Sequence, residues 1–144
     1  MHFIVGGAFQ GKRKWVKEYY QLNDCQEHIW CSSYETEFFL PHHKMTPSFI
    51  VFEGLEMFIR RTLHSDVMSC RNEWREAFRL WQHWENEKAE RRVIWIGCEI
   101  GQGIVPINEE ERNWRDVTGW CYQELVKMCN RVDRIWCGLA ERMK

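Results

Sequence analysis

Short apolar runs alternate along the chain with segments in which apolar residues recur every three or four positions. Continuous apolar runs are typical of strands buried on both faces of a parallel sheet, and they predict strands at residues 2–5, 28–32, 49–52, 93–96 and 134–137. The periodic segments predict amphipathic helices at residues 12–22, 55–63 and 72–90, and a further helix that opens at Asn108. This alternation indicates an α/β fold, with a mostly parallel sheet of about five strands flanked by helices.

The two longest predicted helices have distinct features. The helix at residues 72–90 has an aromatic stripe that we expect to face the core, made up of Trp74, Phe78, Trp81 and Trp84. The next helix opens with Asn108 and Glu111, whose spacing predicts a capping box. Its expected buried stripe consists of Trp114, Val117, Cys121, Leu125 and Met128. We also expect core positions for Trp95, Trp114 and Trp136.

Composition limits the classes of protein that the chain can represent. With 44% hydrophobic and 28% charged residues among 144, the sequence predicts a single folded domain over residues 1–144. Lys and Arg number 20 against 21 Asp and Glu, and a net charge of −1 argues against a non-specific nucleic-acid binder. The apolar runs are too short to span a bilayer, and the first residues lack the features of a signal peptide. A cytoplasmic location is therefore expected.

The seven cysteines indicate a reducing compartment. Their number is odd and no two form a CxxC pair, which disfavours both a disulfide scaffold and a zinc site. We therefore expect buried, reduced thiols. Cys98, Cys121, Cys129 and Cys137 stand on predicted strands or helices, at positions expected to pack in the interior.

A glycine-rich segment follows the first predicted strand and precedes the first predicted helix. It fits the pattern GxxxxGK and comprises Gly6, Gly7, Ala8, Phe9, Gln10, Gly11, Lys12 and Arg13. Glycines let backbone N–H groups converge on phosphate oxygens, the helix start adds its positive end, and Lys12 would contact the β and γ phosphates of ATP or GTP. These residues, here called the glycine-rich loop, predict a P-loop NTPase-like fold. The alternative is a glycine turn without a ligand.

The sequence lacks one of the residues that usually bind Mg²⁺ in a nucleotide site of this kind. In the full motif a Ser or Thr after the lysine binds Mg²⁺, and here that position is Arg13. Glu53 follows the third predicted strand, where an acidic residue can hold Mg²⁺ through water. Glu53 is therefore the candidate Mg²⁺ residue, and a solvated carboxylate at a strand end is the alternative.

A second glycine segment follows the strand at residues 93–96, and it carries a family resemblance. Its distinctive residues are Glu99, Gly101, Gln102, Gly103, Ile104, Val105 and Pro106. The helix after it contains Arg112, Trp114, Arg115, Asp116, Gly119, Gln123 and Leu125. Together with the glycine-rich loop, this arrangement resembles the bifunctional adenosylcobinamide kinase/adenosylcobinamide-phosphate guanylyltransferase family of cobalamin biosynthesis, whose members have N-E-V-G-x-G-I-V-P followed by R-x-F-R-D-x-x-G.

The resemblance implies a nucleotide-dependent transferase. Members of that family phosphorylate adenosylcobinamide with ATP or GTP and then transfer GMP to the product through a guanylylated histidine. They form homotrimers, so a corrinoid substrate and a homo-oligomer are the implied partners. Glu99, Gly101, Gln102 and Gly103 would belong to the active-site loop, and Lys12 would act in catalysis.

The resemblance also gives a candidate nucleophile, His43. The family's histidine lies between the glycine-rich loop and the position of Glu53, a stretch that is shorter in this chain. His42-His43-Lys44 could be its remnant, although no Arg stands four residues after His43. The alternative is that both histidines are exposed loop residues.

Two functions remain open from the sequence. The first is an active kinase or nucleotidyltransferase of cobalamin assembly. The second is a catalytically degenerate member of the family that binds nucleotide or acts as a structural or regulatory partner. Arg13 and the shortened central stretch favour the second, whereas the second glycine segment favours the first.

Overall fold

A computed structural model of the protein describes residues 1–22, 27–42, 45–64 and 66–144. Its strands are β1 (His2–Gly6), β2 (His28–Ser32), β3 (Phe49–Glu53), β4 (Arg92–Cys98), β5 (Arg131–Trp136) and β6 (Leu139–Arg142). Its helices are α1 (Lys12–Tyr19), α2 (Leu55–Thr62), α3 (Val67–Asn86) and α4 (Glu109–Met128). The predicted order of strands and helices is confirmed up to β5.

The strands form one sheet in the order β2-β3-β4-β1-β5-β6. The first five are parallel, as predicted, and β6 pairs antiparallel with β5. Strand β6 could not be predicted from the sequence, because its four residues are all exposed and show no apolar pattern. The mostly parallel α/β fold is confirmed.

Local capping explains where two helix boundaries differ from the prediction. Helix α3 begins at Val67 rather than at residue 72, because the Asp66 side chain accepts a hydrogen bond from the backbone N–H of Met68 at 2.9 Å. Asn108 caps α4 as expected, accepting from the N–H groups of Glu110 and Glu111. The Glu111 carboxylate contacts Arg60 on α2 at 3.0 Å instead of completing the capping box.

The sheet separates two apolar clusters. Helices α2, α3 and α4 cover one face, where the rings of Phe52 and Trp95 stack with centroids 4.5 Å apart. The predicted aromatic stripe of α3 lies in this cluster, as expected. Helix α1 covers the other face through the buried Val16. The expectation for Trp136 was wrong, since 61% of its side chain is exposed near the edge of the sheet.

The thiols are free throughout the part of the chain that the structure describes. Four of them are buried as expected, namely Cys31, Cys70, Cys121 and Cys129. Cys98 is half-buried, and the expected packing position of Cys137 was wrong because this residue is exposed just after β5. Cys25 lies outside the described residues.

A helix that crosses a membrane needs both sufficient length and sufficient hydrophobicity. None of the helices in the described part of the chain reaches both.

A buried polar network joins the end of α1 to the amino-terminal edge of the sheet. The neutral ring of His2 donates from Nε2 to Asp133 at 2.6 Å and accepts at Nδ1 from the Tyr20 hydroxyl at 2.6 Å. Arg131 also donates to Asp133 and to the Tyr19 hydroxyl. Burial lowers the pKa of His2 from 6.5 to about 4. The ring is therefore uncharged at neutral pH.

Acid should destabilise the fold through His2. Because the pKa of this group is lower in the folded state, the unfolded chain binds the proton more readily as pH falls from 6.5 to 4. We expect His2 to account for a loss of about 3 kcal/mol in the free energy of unfolding across this window. Urea denaturation at a series of pH values would measure it.

The matched control is His2→Gln, which keeps polar atoms beside Tyr20 and Asp133 but does not titrate. The loss attributed to His2 is the difference between the two pH profiles. Parallel profiles between pH 6.5 and 4 would contradict the assignment.

Candidate functional site

The glycine-rich loop lies at the carboxyl end of β1, the edge of a parallel sheet at which ligands bind. Gly11, with φ of +92°, turns the chain into α1, which begins at Lys12. No side chain caps this helix start, so its first N–H groups remain available to an anion. Phe9 is fully exposed in the same loop and has a left-handed backbone conformation, with φ of +56°.

The loop is supported by the turn between β5 and β6, here called the hairpin turn (Cys137 and Gly138). The carbonyl of Gln10 accepts from the N–H of Gly138 at 2.9 Å, and the Gln10 side-chain oxygen accepts from the N–H of Cys137 at 2.6 Å. A Cβ on Gly6 would lie 2.3 Å from the carbonyl oxygen of Ile135. This close approach explains why the first position of the loop is glycine.

Lys12 is held against the loop's own backbone. Its ammonium group donates to the carbonyl of Gly6 at 2.9 Å and to the carbonyl of Gly7 at 2.7 Å. These bonds place a positive charge beside the N–H groups of the loop. A phosphate oxygen bound there could replace either carbonyl as the acceptor of the ammonium group.

Glu53 ends β3 and faces the start of α1. Its Oε2 accepts a hydrogen bond from the indole N–H of Trp30 at 2.8 Å and lies 3.5 Å from the guanidinium of Arg13. Arg13 and Lys17 both lie over the Trp30 ring, at 5.3 and 5.4 Å from its centroid. The predicted metal residue and the residue at the Ser/Thr position are thus brought into one charged cluster with an aromatic ring.

A cavity of about 830 Å³ opens beside this cluster. Its size falls within the range of sites for small molecules and cofactors. Four cations line it, Lys12, Arg13, Lys14 and Lys17, together with three carboxylates, Glu18, Glu53 and Glu56. The ends of β3 and β4 form the opposite wall with the exposed Tyr34. The cavity therefore carries a small excess of positive charge around the glycine-rich loop.

The buried Glu56 and the half-buried Tyr122 form a contact beneath the cavity that was not predicted from the sequence. Glu56 accepts from the backbone N–H of Cys98 at 2.8 Å and from the Tyr122 hydroxyl at 3.3 Å. Burial raises the pKa of Tyr122 well above its ordinary value, so the hydroxyl keeps its proton. The sequence did offer one signal, an acidic residue between Leu55 and Phe58 in an apolar stripe. Spacing along the sequence could not connect this residue to its partners, which are distant along the chain.

The second glycine segment lines a different cavity from the one beside the glycine-rich loop. Glu99 forms an ion pair with Arg134 on β5 at 3.1 Å. Glu99, Gly101 and Gln102 line a second cavity of about 570 Å³, between α4 and β5. Gly103, with φ of +95°, is exposed. The structure therefore places this segment at a neighbouring cavity, and its predicted role in the active site stays a prediction.

Helix α4 holds the end of that segment. The Arg112 guanidinium donates to the carbonyls of Pro106 and Ile107. The indole of Trp114 donates to the carbonyl of Glu56 at 2.7 Å, with Arg60 over its ring. Trp114 is half-buried rather than fully enclosed in the core as expected.

The candidate nucleophile His43 and its neighbour Lys44 lie outside the described residues. His42, immediately before them, is exposed, and its carbonyl accepts from the N–H of Met45 at 3.1 Å. The role of His43 in guanylyl transfer stays a prediction.

Comparisons with known proteins match most of the chain to one family. The sequence model described as "Cobinamide kinase / cobinamide phosphate guanyltransferase" matches residues 30–143, a range that begins after the glycine-rich loop. The "Bifunctional adenosylcobalamin biosynthesis protein CobP" of Pseudomonas aeruginosa is 36% identical over 53 residues, 37% of this chain and 31% of that protein.

A second similar protein is the "Bifunctional adenosylcobalamin biosynthesis protein CobU" of Escherichia coli strain K12. It is 23% identical over 93 residues, which make up 65% of this chain and 42% of that protein. The chain thus spans less than half the length of either curated relative.

Replacing Gly6 with alanine should disturb the support of the glycine-rich loop. The new methyl group would meet the Ile135 carbonyl oxygen, and such overpacking costs about 1–3 kcal/mol. The control is Gly119→Ala on α4, where a Cβ meets no atom within 4 Å. Alanine is the better helix former by about 0.5–1 kcal/mol, so this variant should be stabilised. Chemical denaturation checks both, and equal effects would contradict the close contact at Gly6.

Proposed function

The chain belongs to the cobinamide kinase / cobinamide phosphate guanyltransferase family, and we propose that it binds ATP or GTP at the glycine-rich loop as a nucleotide-dependent transferase. The observation that carries this proposal is Lys12, held beside an uncapped helix start at the mouth of the 830 Å³ cavity. A corrinoid is the proposed acceptor, in keeping with the family. Residues 1–144 would form the single domain that carries this function.

The loop would bind the nucleotide through its phosphates. Backbone N–H groups at the start of α1 would donate to phosphate oxygens, and Lys12 would exchange a loop carbonyl for an oxygen of the β or γ phosphate. Neutralising the charge that develops on the transferred phosphoryl group is the main catalytic contribution that such a loop makes. Phosphorylation of the acceptor hydroxyl needs this part of the site, whereas guanylyl transfer would also need His43.

A second candidate is a nucleotide-binding partner that does not catalyse transfer. The observation that favours it is Arg13 at the Ser/Thr position, paired with the carboxylate of Glu53. This candidate keeps nucleotide binding at the same loop and lacks turnover. The two candidates therefore differ in the reaction and agree on the site.

Removing the charge of Lys12 should weaken nucleotide binding. We expect Lys12→Met to raise the Kd for ATP or GTP at least tenfold, because a charge-assisted hydrogen bond to phosphate is lost. Lys88→Met is the control, since Lys88 is exposed and precedes β4 at the opposite edge of the sheet. Isothermal titration calorimetry measures both. Equal affinities for the two variants would place the phosphates elsewhere.

Incubation with γ-labelled ATP and adenosylcobinamide separates the two candidates. The transferase should give labelled adenosylcobinamide phosphate, and product formation should fall with Lys12→Met. Nucleotide binding without product would support the non-catalytic partner. A covalent guanylyl adduct formed with α-labelled GTP and lost in His43→Ala would support the nucleophile.

We also propose a homo-oligomer in a cytoplasmic location. Exposed apolar side chains support an interface, and those on one loop are Ile104, Val105 and Ile107. The free thiols support the location. Light scattering should give a mass that is a multiple of 17.6 kDa, with a trimer expected by family resemblance. A monomer at micromolar concentration would contradict the oligomer.

A further inference from the structure

We propose that the guanidinium of Arg13 takes the place of a divalent cation in this site, so that the glycine-rich loop binds nucleotide phosphates without Mg²⁺. This inference rests on the proposed function in one respect, that the loop is the phosphate site. It concerns how the negative charge of the phosphates is balanced there.

The residues present do not fit a magnesium site of the expected kind. In the full motif the residue after the lysine supplies a hydroxyl oxygen to Mg²⁺. Arg13 has only N–H donors and no lone pair for a cation. A permanently charged guanidinium at that position would also repel a divalent ion.

The Glu53 carboxylate, which was expected to hold Mg²⁺ through water, already contacts other groups of the protein. Oε2 of Glu53 accepts from the Trp30 indole at 2.8 Å and lies 3.5 Å from Arg13. Only 14% of the Glu53 side chain is exposed. The negative charge that would attract Mg²⁺ is thus balanced by a residue of the chain itself.

Strand pairing places Trp30 and Glu53 together. Trp30 on β2 stands opposite Val51 on β3, and Glu53 follows Val51 by two residues on the same face of the sheet. Such diagonal neighbours are within reach of long and aromatic side chains. The contact therefore follows from the sheet and leaves Glu53 in a fixed position under the start of α1.

Arg13 contacts Trp30 and Glu53 through its guanidinium and is also open to the cavity. Its guanidinium lies over the Trp30 ring at 5.3 Å, and about half of the side chain is exposed at the cavity. A guanidinium can donate two parallel hydrogen bonds to a phosphate while keeping its contact with a carboxylate. Lys17, over the same ring, adds a second cation to this wall. Arg13 can thus bridge Glu53 and a phosphate, as Mg²⁺ and its water would.

The test is calorimetric binding of ATP, GTP and inorganic tripolyphosphate by the intact chain, in EDTA and in excess Mg²⁺. We expect the Kd of the wild-type protein for each ligand in EDTA to lie within about threefold of its value in Mg²⁺. In Arg13→Thr, which restores the hydroxyl of the full motif, we expect binding at least tenfold weaker in EDTA and largely recovered in Mg²⁺.

Arg79→Thr on α3 is the matched control. Arg79 is exposed and lies 3.6 Å from Glu76, so the variant removes an arginine of similar exposure that also contacts a carboxylate, away from the cavity. Its binding should equal that of the wild type under both conditions. If Arg13→Thr and Arg79→Thr have equal Kd values for the three ligands in EDTA, the proposal is overturned.

Glu53→Gln gives a second test. A site balanced by Arg13 and a site that binds Mg²⁺ predict opposite changes in phosphate affinity for this variant. The glutamine oxygen can still accept from Trp30, and the negative charge that partly neutralises Arg13 is removed. We expect phosphate binding to tighten by about twofold to fivefold in EDTA, since one negative charge is removed from the cavity. A magnesium site would instead lose affinity in Mg²⁺, and that result would overturn the proposal.

The outcomes also separate this inference from the proposed function. Nucleotide binding that requires Mg²⁺ would overturn the inference and leave the proposed function standing. Binding of tripolyphosphate in EDTA without binding of either nucleotide would support the inference and contradict the nucleotide function. Absence of binding by all three ligands under both conditions would overturn both.

Discussion

The parallel pairing of β1 between β4 and β5 is the constraint on which the rest of the site depends. With neighbours on both sides, β1 sends its carboxyl end to the middle of the sheet edge, where the glycine-rich loop must turn. The same pairing brings the ends of β3 and β4 opposite the loop and the hairpin turn beneath it. The cavity is therefore a product of strand order, and its lining residues come from segments far apart in sequence.

At this edge of the sheet, carboxylates are fixed by partners on neighbouring elements. Glu53 contacts Trp30 and Arg13, Glu56 contacts Tyr122 and the backbone of Cys98, and Glu99 pairs with Arg134. A buried or half-buried carboxylate without such partners would be costly. Because these acids are satisfied within the protein, none of them occupies the uncapped N–H groups at the start of α1.

The sequence was sufficient for the order of β1 to β5 and of the four helices, and for the position of the glycine-rich loop. Apolar runs and periodic stripes report burial directly, so β1 to β5 and the aromatic face of α3 could be predicted. The contacts of Glu56 with Tyr122 and of Gln10 with the hairpin turn could not, since each joins residues more than sixty positions apart. The expectation for Trp136 was wrong for a related reason. A large apolar side chain is typical of a core, but the strand that carries Trp136 lies next to the edge of the sheet.

The bonds from Gln10 to Cys137 and Gly138 also bear on how the protein is made. The glycine-rich loop is synthesised before the turn that supports it, and the two are separated by 127 residues. At ordinary rates of translation the two are separated in time by roughly 6–25 s. For most of that interval β1 lacks both of its neighbouring strands, since β4 ends at Cys98 and β5 ends at Trp136. The glycine-rich loop can therefore take its final shape only after that turn has been synthesised, and the nascent chain must keep the apolar β1 from forming other contacts until then.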